Sequence, residues 1–320
     1  TSVDNAEHTI TTSEVVRALE LAKASHQISD HYLVSAVPLG FELDDAPEWV
    51  LNPIRMSAHS MTGHYHLMML PISTMQNIDR ALKGANIGVE KMVVSCLATA
   101  EASLLKDEKE YGVCLVDIGA GTTNVAVYLD GRLALTHTIQ RGGEHVTRDI
   151  AAVLQTTTEE AERLKLLYGC VDLKVVKPEH MIQFQGIDGP QTISRIELTE
   201  IIMARYEEIM GLVRDELVNH GAMQGLYHGV VLTGDASQIE GMVSFVRRTL
   251  GVSAHLGNPP VQVYADEQHQ AALRRSQYAT VAGLLMFSQS DTQETLVETE
   301  DGDKLSVTQR IKRAWSGFNE

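Results

Sequence analysis

Residues 111–140, YGVCLVDIGAGTTNVAVYLDGRLALTHTIQ, decide the fold. Two β-branched runs flank a tight turn, Asp117-Ile118-Gly119-Ala120-Gly121-Thr122-Thr123, and a third run follows the Asp130-Gly131 pair, a hairpin signal. Such a hairpin tip turns several backbone N–H groups into one concavity. Glycines let an anion approach, hydroxyls add donors, and a leading Asp suits a hydrated Mg²⁺. The plainer alternative is an ordinary hairpin with a glycine turn.

Around this stretch the sequence alternates helices and strands. Val15, Val16, Leu19 and Leu21 follow the cap signal Thr12-Ser13-Glu14 and predict a helix to about residue 25. Residues 31–37 and 63–70 read as strands, with a helix over 73–83 between Pro71 and Gly84. A strand over 89–95 and a helix over 97–106 lead into the hairpin. Helices are expected over 144–154, from the Thr157 cap to Gly169, and over 199–220. A buried strand at 229–233 runs into Gly234 and a helix over 236–249, and another helix covers 278–287.

Composition sets the outer limits. The 320 residues are 44% hydrophobic, enough for two domains with their own cores. The net charge of −16 leaves no broad basic field, so nucleic acid is not an expected partner. Cys96, Cys114 and Cys170 are scattered and form no CxxC, and the 13 histidines show no metal-site spacing. No apolar run is long enough to span a bilayer, and no secretory signal opens the chain. The chain starts at Thr1 rather than Met, which suggests a piece of a longer protein.

Two further motifs bear on a nucleotide. Residues 230–241, VVLTGDASQIEG, place a tight turn and a helix start after a buried strand, one way to build a nucleotide platform. Glu162 and Lys165 share one helix face. As a bare pair they read as a solvated salt bridge; in a cleft they could hold ribose and base.

The C-terminus carries a different signal. Residues 288–304, SQSDTQETLVETEDGDK, read as a flexible acidic linker. On a helix, Val307, Ile311, Ala314, Trp315 and Phe318 would fall within a stripe about 100° wide. Arg310, Lys312 and Arg313 lie outside it, a pattern suited to an anionic membrane surface. A terminal helix docked on the protein's own core is the alternative. Partial burial of the apolar stripe gives a few kcal/mol, at roughly 1.5–3 per full side chain. The basic residues add about 1 kcal/mol each, and folding the helix offsets much of this. One copy therefore anchors reversibly, and side-by-side copies anchor firmly.

With DIGAGTT at 117–123, LTGDAS at 232–237 and the small-residue helices LATAEA (97–102) and ATVAGL (279–284), the chain resembles the actin, Hsp70 and sugar-kinase superfamily. Within it, CLATAEASLLKDEKEYGVCLVDIGAGTTNVAVY, GGEHVTRDIA, EEAERLKLLYGC and VVLTGDASQIEGM, with the terminal amphipathic segment, resemble the FtsA family over essentially all 320 residues. The resemblance implies an α/β, actin-like (ribonuclease H-like) two-lobed ATPase fold, with the first lobe incomplete at its N-terminus.

By the same likeness, residues 1–90 are the FtsA-specific inserted subdomain and 91–110 a remnant of the first-lobe core. Residues 111–165 and 227–287 form the second-lobe core and 166–226 its outer subdomain. The linker (288–304) and the membrane-targeting helix (305–320) follow. The implied ligands are ATP and Mg²⁺. Asp117 would hold the metal through water, Gly119, Gly121, Thr122 and Thr123 would cradle phosphate, and Gly142, Gly143, Glu162, Lys165, Gly234, Asp235 and Ala236 would surround the rest. The implied role is a filament-forming tether for the C-terminal tail of FtsZ, which would dock near the helix bearing Arg205. Other division proteins would join it on the cytoplasmic face of the inner membrane at the division site. A pilus-assembly actin-like protein and a small-molecule kinase of the superfamily are the rivals.

Three departures from the family stand out. Its opening segment, with the first phosphate loop, is absent. The second glycine of the adenosine loop is Asp235, whose charge facing phosphate could cost on the order of a kcal/mol or more. Ser95 and Cys96 occupy the place where hydrolytic members carry Glu or Gln, which implies little turnover.

Overall fold

The structure, a computed structural model, describes residues 1–3, 7–25, 29–44, 46, 48–89, 92–259 and 275–293, with the side chains of 288–293 excepted. Two compact units emerge, residues 1–94 with 285–293, and Ser95–Leu284.

In the first unit, α1 (Thr12–Ser25) is followed by the antiparallel pair β1 (His31–Leu43) and β2 (Met61–Pro71), then α2 (Ile72–Gly84). Both strands are longer than the sequence suggests, because bulges at Leu33/Ser35 and Pro38/Gly40 carry the pairing past Pro38. Val3, Ile10, Ala18, Phe41, Ala58 and Met61 make its small core. Of the strand expected at 89–95, the described residues 89 and 92–94 are not in a strand, and Ser95 already opens the next helix. Residues 92–94 have no β partner among the described residues, and an apolar run without a neighbouring strand cannot satisfy its backbone as a strand.

The second unit begins with α3 (Ser95–Ser103) and α4 (Lys106–Tyr111). The helix expected over 97–106 ends at Ser103, and a second, unexpected one starts at Lys106, because Leu105 is extended and its N–H is held by the Glu108 carboxylate at 2.7 Å. There follow β3 (Val113–Ile118), β4 (Thr123–Leu129), β5 (Arg132–Ile139), α5 (Gly143–Leu154) and α6 (Thr158–Tyr168). The hairpin β6 (Met181–Gly186) and β7 (Gly189–Ser194) leads into the long α7 (Arg195–Asn219), and β8 (Val230–Thr233), α8 (Met242–Leu250), β9 (Ala254–Leu256) and the part of α9 (Ala279–Gln293) up to Leu284 complete it. The helix α7 starts four residues earlier than the periodicity suggests. Ser194 and Glu197 form a reciprocal capping box, with Ser194 Oγ accepting from the Glu197 N–H at 3.2 Å and Glu197 Oε2 accepting from the Ser194 N–H at 3.1 Å. The last helix continues six residues into the stretch expected to be linker. Val307, Arg310, Ile311, Lys312, Arg313, Trp315 and Phe318 lie outside the described residues.

The five strands make one mixed sheet in the order β5-β4-β3-β8-β9. Pairing is antiparallel from β3 to β5 and parallel from β3 through β8 to β9. Both β3 and β8 are buried along their whole length, as expected of central strands covered on two faces. Cys114, Val116, Ile118 and Leu232 join Ile202, Tyr206, Ile209 and Phe245 in one continuous core. The adjacent strands β3 and β8 run parallel and end side by side, so the 118–123 turn and the turn after Thr233 open at the same sheet end.

Candidate functional site

At that end four segments lie against one another: the hairpin tip, the start of α5, the Glu162–Lys165 pair of α6 and the turn after β8. The hairpin tip is tight: the Gly119 N–H donates to the Thr122 carbonyl at 2.9 Å. Its own carbonyls cap the next helix, with the N–H groups of Gly143 and Glu144 donating to Gly119 O and Ala120 O at 2.9 and 2.8 Å. A Cβ at Gly142 would lie 2.6 Å from both tip carbonyls, so the RGGE sequence lets α5 start directly against the hairpin. Thr123, fully buried, donates to Arg141 O at 2.9 Å and ties the two turns together. Gly121 faces open space, and Thr122 is part-exposed beside it.

From the other side comes the turn after β8. Gly234 has φ +85, and a Cβ there would fall 2.4 Å from Ile118 O and 2.5 Å from Asp117 Oδ1. Only glycine fits that turn. The helix expected at 236–249 is instead a 3-10 turn, Asp235–Gln238, followed by α8 from Met242. Extended backbone at Ile239 separates them, so no α-helix N-terminus points at the site from this side. What the turn supplies is packing: Ala236 abuts Gly143, and its carbonyl accepts from Tyr206 Oη at 2.7 Å.

The Glu162–Lys165 pair lines the cleft, with the Lys165 side chain largely covered and the Glu162 carboxylate partly open to solvent. Lys165 Nζ donates to Glu162 Oε2 (2.7 Å), Thr147 Oγ1 (2.8 Å) and Gly143 O (3.1 Å). Thr147 in turn donates to Glu162 Oε2 at 2.5 Å. Burial works to raise the Glu162 carboxyl, but hydrogen bonds from Lys165 and Thr147 outweigh it and hold the group below its ordinary value.

Asp117 is 8% exposed at the end of β3. Thr99 on α3 donates to its Oδ2 at 3.2 Å and sits 2.8 Å from Thr280 on α9. Burial pushes the Asp117 carboxyl up, and the Thr99 hydrogen bond only partly opposes this. A hydrated Mg²⁺ takes one or two carboxylates beside substrate phosphates. One recessed carboxylate with an oxygen against the Gly234 turn fits that donor set, with water completing the contact. Cys96, at the start of α3, is buried, and burial pushes its thiol up to about 11, so it supplies no thiolate.

These elements enclose a cleft of about 560 Å³. Of the sequence-predicted residues, Gly143, Glu162, Lys165, Asp235 and Ala236 line it directly. Gly119, Gly142 and Gly234 pack immediately behind that wall, and Asp117, Gly121, Thr122 and Thr123 belong to the hairpin beside it. Sequence reading missed Thr147, Tyr206 and Arg195. Thr147 and Tyr206 fall at ordinary core positions of their helices. Arg195 is fixed by a carbonyl contact to Tyr168 (3.0 Å) and an ion pair with Glu240 on the cleft wall. Arg205 does not face the cleft. It makes a bidentate pair with Asp149 on α5 (2.6 and 2.8 Å) and a second with Glu208.

A profile of the family described as "Cell division protein FtsA" matches residues 114–283. The cell division protein FtsA of Pseudomonas aeruginosa is 32% identical over 310 residues, which cover 94% of this chain and 73% of that protein. The Escherichia coli (strain K12) protein of the same description is 30% identical over 321 residues, 96% of this chain and 74% of its own length. Among solved structures, MreB5 of Spiroplasma citri bound to ADP superposes with a TM-score of 0.57 at 16% identity, covering 70% of this chain and 67% of that one. The PilM–PilN type IV pilus biogenesis complex gives 0.60 at 19%, covering 87% and 73%. At these identities the two structures speak to the fold, which is actin-like.

Proposed function

This chain belongs to the FtsA family of actin-like cell division proteins, and on that premise we propose that it binds ATP with Mg²⁺ in the cleft at the end of β3 and β8. It assembles head to tail into filaments on the cytoplasmic face of the inner membrane. There it tethers the FtsZ C-terminal tail and other division proteins at the septum. The observation that carries the nucleotide part is the convergence of the 118–123 hairpin, the α5 start, Lys165–Glu162 and the Gly234–Ala236 turn on one cavity. Two of these segments, 117–123 and 232–237, are the stretches that the family resemblance reads as a phosphate loop and an adenosine loop.

In this reading Asp117 holds the hydrated Mg²⁺, the glycines and hydroxyls of 119–123 meet phosphate, and Glu162 and Lys165 meet the ribose side. Bound nucleotide biases the conformation that the polymer requires. Membrane attachment rests on the amphipathic pattern of 307–318, which supplies a weak anchor made firm by polymer multiplicity.

Two measurements test this. Titration with a fluorescent ATP analogue should show saturable binding that Lys165→Ala weakens by about tenfold or more, because removing the ammonium leaves the Glu162 carboxylate in the cleft without its cationic partner. Co-sedimentation with vesicles containing anionic lipid should depend on residues 306–320. Pelleting that survives their removal would overturn the membrane part. Absence of nucleotide binding, or phosphoryl transfer to a small acceptor, would overturn the rest.

A further inference from the structure

We propose that the outward edge of β2 is a self-association site, at which two copies of this chain join their β1–β2 ribbons into one antiparallel four-stranded sheet. The inference is independent of the cleft and of any nucleotide.

The hydrogen-bond parity of the ribbon identifies which backbone groups are spare. Phe41 on β1 exchanges both of its backbone bonds with Val50 at 2.8 Å, so it has none for its cross-strand neighbour Gly63. Met61 likewise turns away from β1 and exchanges 2.8 Å bonds with Thr1. Alternation along a regular strand then points the N–H and C=O groups of Gly63, Tyr65, Leu67 and Met69 outward. Pro38, which has no N–H, lies opposite Tyr65, as this parity requires. Residues 1–3 cover the edge only as far as Met61. Past it, no described residue bonds to those four backbones from outside, and all four residues are partly exposed.

Open edges are ordinarily blunted by charge, proline, a bulge or shortness. Residues 61–71, MTGHYHLMMLP, contain no Asp, Glu, Lys or Arg, and their one proline closes the strand. Both bulges lie on β1, which leaves β2 regular over 11 residues. A two-stranded ribbon is also marginal by itself, and further strands steady it.

Symmetry favours a second copy over a foreign strand. The free stretch runs from Gly63, beside the Thr1 contact, to Met69, two residues before a proline that donates nothing. A twofold axis at its midpoint, His66, sets Gly63 opposite the partner's Met69 and Tyr65 opposite the partner's Leu67. All of these residues point outward, so each pair exchanges two backbone bonds. The strand opposes no Asp, Glu, Lys or Arg to its copy. Burial lowers the His66 imidazole, so the two rings that meet on the axis are neutral at pH 7 and above. Such a contact is isologous and closes at two copies, unlike head-to-tail growth.

The test is sedimentation equilibrium of the 320-residue chain in EDTA without nucleotide, at pH 7 or above, together with amide hydrogen exchange. The mass should rise with concentration from 35.2 kDa to twice that value and stop there. Leu67→Pro removes an outward N–H without touching a bond to β1. It should weaken the dimer about tenfold or more, the scale of two backbone bonds lost across the twofold. Leu67→Lys, which keeps the backbone and adds a charge to the edge, should weaken it as well. On dimerisation, exchange should slow at Gly63, Tyr65, Leu67 and Met69, while the β1-bonded amides of His64 and Met68 are slow in the dilute chain too. A chain that stays monomeric, an assembly that grows past two, or a dimer that neither substitution weakens would overturn the inference. Matching melting curves of the dilute parent and Leu67→Lys chains show that the fold is kept.

Discussion

Gly283 on α9 sits against the carbonyl of Ala98 on α3 with no room for a side chain: a Cβ at 283 would lie 1.7 Å from the Ala98 oxygen and 2.4 Å from its carbon. The obstacle is backbone, so no rotamer change relieves it. Gly283→Ala must push the two helices apart and strain the Thr99–Thr280 contact one turn away. We expect a cost of about 3 kcal/mol or more, at or beyond the upper end of overpacking effects, read as a lowered denaturant midpoint. Gly211 in the interior of α7 has nothing within 4 Å of its Cβ position. Gly211→Ala should therefore stabilise by about 0.5–1 kcal/mol, and opposite signs for these two substitutions are the check.

The Asp117 carboxylate makes the ligand-free fold less stable than an amide would. Its folded-state pKa is raised by burial, so the unfolded chain releases the proton first as pH rises, and stability falls from about the ordinary value of 3.8 upward. Asp117→Asn removes that loss. The melting temperature should rise at pH 7, at roughly 2–4 °C per kcal/mol gained, and the gain should vanish at acid pH, where Asp117 is itself neutral. The same variant should lose Mg²⁺-dependent nucleotide affinity. A gain that persists unchanged at low pH would show that the effect is not one of charge.

Which parts could be read from the sequence follows from how local the determining contacts are. The hairpin of β3 and β4 was legible because β-branched runs and a glycine turn specify it within 17 residues, and the Thr157 cap of α6 was legible for the same reason. The break at Leu105 and the Ser194–Glu197 box are also local but override helical periodicity, which is why the expected bounds of α3 and α7 were displaced. The strand expected at 89–95 depended on a neighbour that periodicity cannot supply. In the site, the residue types at Asp117, Lys165 and Gly234 were readable as motif members. Their supports were not, because Thr147 meets Lys165 across 18 positions and Thr99 meets Thr280 across 181.

Glu160 gives a pH dependence of the opposite sign. Arg163 makes two hydrogen bonds to it at 2.7 Å, and the Gln185 N–H donates to it at 3.0 Å, fastening α6 to β6. With Arg163 as the leading cause, its pKa falls from 4.5 to about 2. A carboxylate depressed in the folded state contributes stability above its ordinary value and loses it as pH drops toward the folded one. Glu160→Gln should thus cost about 0.5–1 kcal/mol near neutrality, the scale of a solvent-reached pair. The difference from the parent should shrink between pH 4.5 and about 2. A difference independent of pH in urea titrations would assign the effect to packing.

Arg205 offers a way to separate charge recognition from architecture at the outer face of α7. Its guanidinium is committed to Asp149 by two hydrogen bonds and also to Glu208, whose other oxygen is 3.3 Å from Arg141. Arg205→Glu would bring three carboxylates together, so loss of FtsZ-tail capture by that variant alone could reflect a distorted face. The exchange Asp149→Arg with Arg205→Asp restores an opposite-charge pair and leaves Glu208 its contact with Arg141. We expect the single reversal to cost about 2 kcal/mol or more, as removal of one partner of a charged hydrogen bond does, and the exchange to recover most of it. Because the guanidinium is already engaged, capture measured by anisotropy of a labelled tail peptide should recover with stability. Capture that stays lost in a fully stable exchange variant would mean the peptide reads the Arg205 charge directly, and that the pairing with Asp149 is broken when the peptide docks.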